Sequence, residues 1–200
     1  MYRLASPEVC LRPLDLENAE TLAYWGTDDE FCRAAGWTVG LSHEDHVTFQ
    51  RRLIEHPPSD LTRLGVHAQA GLVGYVALQG NEPSRRELGF VIGGRSRWGH
   101  GYGTAAAHAG LVHGFTTMRL TEIWAEALEA NLASVAILRR LGMHETGLGG
   151  EGQYAGTPSR YRQFSLGADE FAPRHLAGGV RKGPATEPGA RRSLLAGLPQ

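Results

Sequence analysis

The chain has 200 residues, 42% of them hydrophobic and 20% charged, enough to bury a core without disulfide staples and ordinary for a globular domain. Its net charge of -1 is unevenly spread: residues 1–172 hold fifteen basic against twenty acidic side chains, which excludes the basic face of a nucleic-acid-binding domain. Two cysteines, Cys10 and Cys32, without a Cys-x-x-Cys pair exclude a disulfide scaffold or a zinc ribbon and fit a reducing cytoplasm.

Taken in chain order, Cys10-Leu11-Arg12 reads as a short strand and Leu16 to Trp25 as a helix. A second helix runs from Ser42 to His56, opened by Ser42 with Asp45 three residues on, a variant of the capping box. Arg63–Ala68, Leu72–Leu78 and Glu87–Ile92 follow as strands joined by short turn-like connectors, which predicts an antiparallel meander. Beyond a glycine-rich loop at 98–103 come a helix over 104–118, a strand Glu122–Ala127, a helix Asn131–Leu141, and two strands near 144–148 and 161–166. The predicted order is β-α-α-β-β-β-α-β-α-β-β: an α/β (mixed α+β) protein with a mostly antiparallel sheet flanked by helices.

Two stretches depart from this pattern. Trp98 to Met118 carries no charge for twenty-one positions, but five glycines and three histidines make it a loop entering a helix and not a membrane span. From Ala172 the chain has four prolines, five glycines and no aromatic residue, so residues 1–171 are expected to form the domain and 172–200 a disordered tail. No leader segment and no membrane partner are expected, and the predicted location is cytoplasmic.

The loop Trp98-Gly99-His100-Gly101-Tyr102-Gly103-Thr104 follows a strand and opens a helix. Glycines let the backbone turn tightly and approach an anion, and the free N–H groups of the helix start supply the field, so the segment suits a phosphate. No Gly-Lys-Ser or Gly-Lys-Thr follows, which excludes a Walker loop. Gly101-x-Gly103-x-x-Ala106 with Glu122 downstream also fits a dinucleotide fingerprint, but residues 93–100 separate the strand from those glycines and no second βαβ half is present. A glycine turn without a ligand is the third possibility.

One family matches several of these segments in order. Glu87-Leu88-Gly89-Phe90-Val91-Ile92, the loop Gly99 to Ala106, Asn131-Leu132-Ala133-Ser134 and Leu141-Gly142-Met143 together resemble the GNAT superfamily of N-acetyltransferases. Leu11-Arg12-Pro13 with Glu17-Asn18-Ala19 resembles the branch that includes the ribosomal-protein N-terminal alanine acetyltransferases. The resemblance covers about residues 8–166 and implies the GNAT fold, acetyl-CoA as acyl donor, no metal, and direct transfer to an amine in a ternary complex. It leaves a monomer or a homodimer open.

The resemblance also implies site residues. Cofactor-binding positions would be Val91 and Ile92, whose backbone N–H groups polarise the thioester carbonyl, then Trp98, Gly99, His100, Gly101, Gly103 and Thr104 around the pyrophosphate. Asn131, the natural N-cap of its helix, would touch the pantetheine arm. Glu87 matches the strand position of a general-base glutamate, against the alternative of an ion pair with Arg85 or Arg86. Alternation puts Glu87, Gly89 and Val91 on one face unless a bulge intervenes. Many members place an acidic Tyr seven positions after the Asn; this chain has Leu138 there, and Ser134 matches the hydroxyl that the branch carries instead.

Other residues carry bland readings. His43 and His46 read as solvated histidines and not a metal pair, and Trp25, Trp37 and Trp124 as packing residues. A long loop 145–159 with Glu145 and Glu151, and Asp28, Asp29 and Glu30, is expected to give the acceptor side an acidic lining. Arg160 and Arg162 stand where the branch often has an acid, so a protein N-terminus, a small-molecule amine, or a catalytically silent CoA-binding module all stay open.

Overall fold

Alternating runs between residues 61 and 92 build the centre of the sheet as an antiparallel meander of β2 (Leu61–Ala68), β3 (Gly71–Gln79) and β4 (Arg85–Ile92). The computed structural model describes residues 7–171; the segment expected to be a tail, 172–200, lies outside them. A short β1 (Cys10–Pro13) pairs with β2, while β5 (Glu122–Leu128) lies parallel to β4. β6 (His144–Tyr154) and β7 (Thr157–Gly167) complete seven strands in the order β1-β2-β3-β4-β5-β7-β6. Among the described residues only the β4–β5 pairing is parallel.

Among the described residues five α-helices cover the sheet: α1 (Leu16–Trp25), α2 (Asp29–Ala35), α3 (His43–Glu55), α4 (Tyr102–Val112) and α5 (Leu132–Arg140). The main core lies between the sheet and α4 and α5, where Val76, Leu88, Ile123 and Phe164 meet Ala107, Leu111 and Leu138. A second cluster of Leu22, Trp25, Phe31, Cys32 and Leu72 fastens α1 and α2 to the opposite face, beside Tyr75 and Val91. Trp25 and Trp37 pack edge-on against Phe31, as expected of packing residues. The Trp25 indole lies so close to the end of β4 that a Cβ on Gly93 would stand 1.9 Å from its Cδ2.

The structure departs from the expected elements in four places. α2 is an additional helix between the first two, capped by Asp28, whose carboxylate accepts from the amides of Glu30 and Phe31. α4 starts at Tyr102 instead of 104, and gives way after Val112 to a π-turn over His113–Thr117 where Gly114 lies against Ile123. The segment 145–159 is not a loop. It belongs to a hairpin of two eleven-residue strands, turned by Ala155 and Gly156 at φ 49 and 83. Finally, His46 is not solvated: it is 2% exposed, its ring tilted against Trp37 and close to Gly26, with Nε2 unpartnered among the described residues.

No helix among the described residues is long and apolar enough to cross a membrane. No group of three or more His, Cys, Asp or Glu among them is arranged to hold a metal ion.

Candidate active site

The glycine-rich segment leads from β4 into α4. Gly101 is the N-cap at φ 86 and Gly99 lies at φ 78, both in the left-handed region that glycine adopts without a Cβ clash. No side chain caps α4, so the first-turn amides, those of Tyr102, Gly103 and Thr104, keep no intrahelical acceptor. The helix start also sits close against its neighbours, since a Cβ on Gly103 would stand 2.8 Å from Ile137 Cδ1. This is a backbone cradle with a positive dipole end and no competing cap, and its donor set fits a pyrophosphate. His100 is exposed beside it. The Trp98 side chain is occupied differently: its indole Nε1 donates to the Ile92 carbonyl at 2.9 Å and pins the loop to the end of β4.

β4 and β5 pair only at Arg85↔Glu122, Arg86↔Ile123 and Glu87↔Trp124. Beyond Glu87 the two strands part, while β4 stays paired with β3 without a shift from Glu87 to Ile92. No bulge breaks the alternation there. Gly93 donates to the Val73 carbonyl, so by the two-residue alternation of an antiparallel ladder the Val91 amide also faces β3. The amides of Phe90 and Ile92 face the opening. This corrects the sequence expectation for Val91, whose N–H is consumed by the ladder.

Glu87 is therefore the last paired residue at the fork. It shares a face with Trp124, its β5 neighbour, and with Glu126 two residues further along that strand. Around it opens a cavity of about 330 Å³ lined also by Asp60, Gln79, Glu82, Arg85 and Trp124. Neither neighbouring arginine pairs with it. Arg85 bridges Glu82 and Glu122 and lies over the Trp124 ring, and Arg86 donates to the Arg85 carbonyl. Among the described residues Glu87 has no hydrogen bond or ion pair. Burial pushes its carboxyl above the ordinary value and the Glu126 charge adds to the rise. Glu126 itself accepts from Gln163 at 3.3 Å.

On the far side of the fork Asn131 caps α5, its Oδ1 accepting from the Ser134 amide at 3.1 Å. The half-buried Ser134 hydroxyl has no partner among the described residues, so the local backbone bond expected of an ordinary serine is not made.

The acids expected to line the acceptor side are mostly neutralised. Asp28 and Glu30 both bind Arg95, Asp29 meets Arg33, and Glu145 holds Arg139 and Arg162. The hydrogen bond from Arg95 draws the Asp28 carboxyl below its usual value, and those from Arg139 and Arg162 do the same to Glu145. Glu151 has no ion pair among the described residues, and neither do Glu87 and Glu126, which share a face at the fork. Sequence reading passed over Glu126, although alternation in Glu122-Ile-Trp-Ala-Glu126 already places two acids and an indole on one face of an otherwise apolar strand.

Comparison with known proteins sets this arrangement in context. The family description "Acetyltransferase (GNAT) domain" matches residues 8–144. The chain is 25% identical over 162 residues to the uncharacterized N-acetyltransferase p20 of Bacillus licheniformis, covering 74% of this chain and 85% of that protein. The spermidine N-acetyltransferase of Vibrio cholerae, solved with CoA and spermine, superposes with a TM-score of 0.70 at 17% identity, over 82% of this chain and 98% of that one. RimJ of Mycobacterium smegmatis, solved with CoA-disulfide, gives 0.66 at 22% identity over 84% and 88%.

Proposed function

This chain belongs to the GNAT acetyltransferase family, an acetyl-transferring enzyme by that membership, and we propose that it moves the acetyl group of acetyl-CoA directly to a primary amine held on the open face at Glu87. The observation that carries the reading is one juxtaposition: the uncapped start of α4 stands at the end of the strand whose far portion leaves β5 at Glu87. The first-turn amides of α4 with Gly101 and Gly103 would hold the pyrophosphate, and the parted edge of β4 would receive the pantetheine arm. Bound there, acetyl-CoA supplies an activated acyl carbon.

This chain's own residues do the rest. The Ile92 amide, turned to the opening, donates toward the acyl oxygen position. Glu87, free of ion pairs and raised by burial, accepts the proton of an incoming ammonium, directly or through water. The Ser134 hydroxyl on the first turn of α5 donates toward the departing sulfur, supported by the helix N-terminus. Trp98 holds the loop in register with β4. These unsatisfied groups favour a working enzyme over a silent binding module. We place the enzyme in the cytoplasm, supported by cysteines that are both free thiols.

The test is calorimetric titration with acetyl-CoA and, in parallel, NADH, followed by thiol release in the presence of amines. Micromolar binding of acetyl-CoA with no response to NADH is expected. A folded protein that ignores acetyl-CoA would overturn the reading.

A further inference from the structure

Arg63 sits on β2 in a cross-strand row with Ala77 of β3 and Gly89 of β4, on the same face as Glu87. Its guanidinium carbon lies 3.9 Å over the Tyr75 ring, and Nη1 donates to Gln50 Oε1 at 2.8 Å. Gln50 is 1% exposed, and the Tyr75 hydroxyl is fixed by Trp37 Nε1 at 3.3 Å. The cation is thus held in place by neutral groups alone. Among the described residues it has no carboxylate partner, and burial weighs against its charge.

Arg12, Arg52 and Arg140, also without an ion pair, are exposed, and the half-buried Arg86 and Arg97 each donate to a backbone carbonyl. Arg63 is half-buried with only a side-chain amide oxygen and an aromatic face as partners. A guanidinium withdrawn from water and left uncompensated is unfavourable until an anion meets it. The floor in front of it is low, because a Cβ on Gly89 would meet only the Ala77 Cβ, at 3.8 Å. Across that floor stands the acidic end, Glu87 with Glu126. From strand spacing and rise the Cα atoms of Arg63 and Glu87 are on the order of 12 Å apart.

We infer that Arg63 anchors the acceptor, and that the amine acetylated here carries a carboxylate at its other end. The inference rests on the proposed acceptor face at Glu87. The planar fork of a guanidinium matches a carboxylate with two parallel hydrogen bonds, while Glu87 and Glu126 attract the ammonium end. A diamine presents a second cation to Arg63 and is disfavoured.

The test uses the full-length protein loaded with acetyl-CoA and a series of ω-amino carboxylates, with the carboxamide, phosphonate and diamine of each length. The carboxylate is expected to show a KM about tenfold below its carboxamide, the worth of one charge-assisted hydrogen bond, with the diamine poorest. Arg63→Gln should erase that preference with acetyl-CoA affinity intact. Gln50→Glu keeps the arginine but gives it an internal carboxylate, and should erase the preference in a stably folded protein. Carboxamides or diamines that match the carboxylates, or a preference that survives both variants, overturn the inference. So does acetyl-CoA binding with none of the carboxylates acetylated, and a phosphonate that outruns its carboxylate overturns the choice of anion. Failure of the earlier reading is separate, since it shows as loss of acetyl-CoA binding itself.

Discussion

Among the described residues, four α-helix starts are closed by a side chain and one is open. Asp15, Asp28, Ser42 and Asn131 each turn a side-chain oxygen onto the first-turn amides of α1, α2, α3 and α5. The start of α4 has Gly101 and no side-chain cap. The closed starts use their amides for the fold, whereas the open one leaves them without a side-chain partner, which suits the charged ligand proposed above. The difference teaches that a candidate phosphate cradle can be sought by a missing cap as well as by its glycines.

Placing a negative charge at the open start is expected to have the largest effect. Gly101→Asp sets a carboxylate there on a backbone at φ 86 that also strains any side chain, and acetyl-CoA affinity should fall by about a hundredfold or more in calorimetry while the circular dichroism of the fold persists. Full affinity in this variant would end the distinction between the two kinds of helix start.

Glu87→Gln tests the chemistry beside the cradle without touching it. Turnover should fall by about a hundredfold with acetyl-CoA affinity unchanged. Because the Glu87 carboxyl is raised, the wild-type rate should climb with pH through a value above the ordinary carboxylate range, and the variant should lose that limb. The sign for stability is opposite. The folded state holds the proton more tightly than the unfolded one, so stability drops as pH rises through the folded value. At neutral pH Glu87→Gln should therefore melt higher than the wild type while working worse.

Ser134→Ala keeps the Asn131 cap, since the cap bonds the Ser134 backbone amide. It should reduce turnover by about tenfold in thiol-release assays, the scale of one hydrogen bond to developing charge. The smallest change is the control at a closed start: Ser42→Ala should cost about 1 kcal/mol in thermal unfolding and leave acetyl-CoA affinity alone.

Much of this was legible in the sequence because the governing signals are local. The Ser42–Asp45 box is present as read, with both reciprocal bonds, and the spans of α1 and β2 to β4 are found within two residues of the expected ones. What escaped was fixed by distant contacts. α2 has seven residues and no length to show periodicity; it exists because Phe31 and Cys32 bury against Trp25 and Trp37. The β6 glycines read as a loop, yet Gly149 and Gly152 are where β7 comes close. Cβ atoms there would stand 3.1 and 3.0 Å from Tyr161, which is room for a strand but not for side chains. Of the proposed site residues, Glu87 and Ser134 follow from motif position, while Arg63 needed the sheet register, since only three aligned strands bring it to the same face as Glu87.

The closeness of Trp25 to Gly93 bears on how this sequence can change over time. As long as the indole stays, position 93 admits no side chain, and losing the indole first leaves a hole in the cluster that holds α1 and α2. Neither substitution is tolerable alone, so the two sites are bound to change as a pair or not at all. The entrance to the glycine-rich loop is thus guarded by epistasis: a helix far away in sequence limits which descendants of this chain can alter the end of β4.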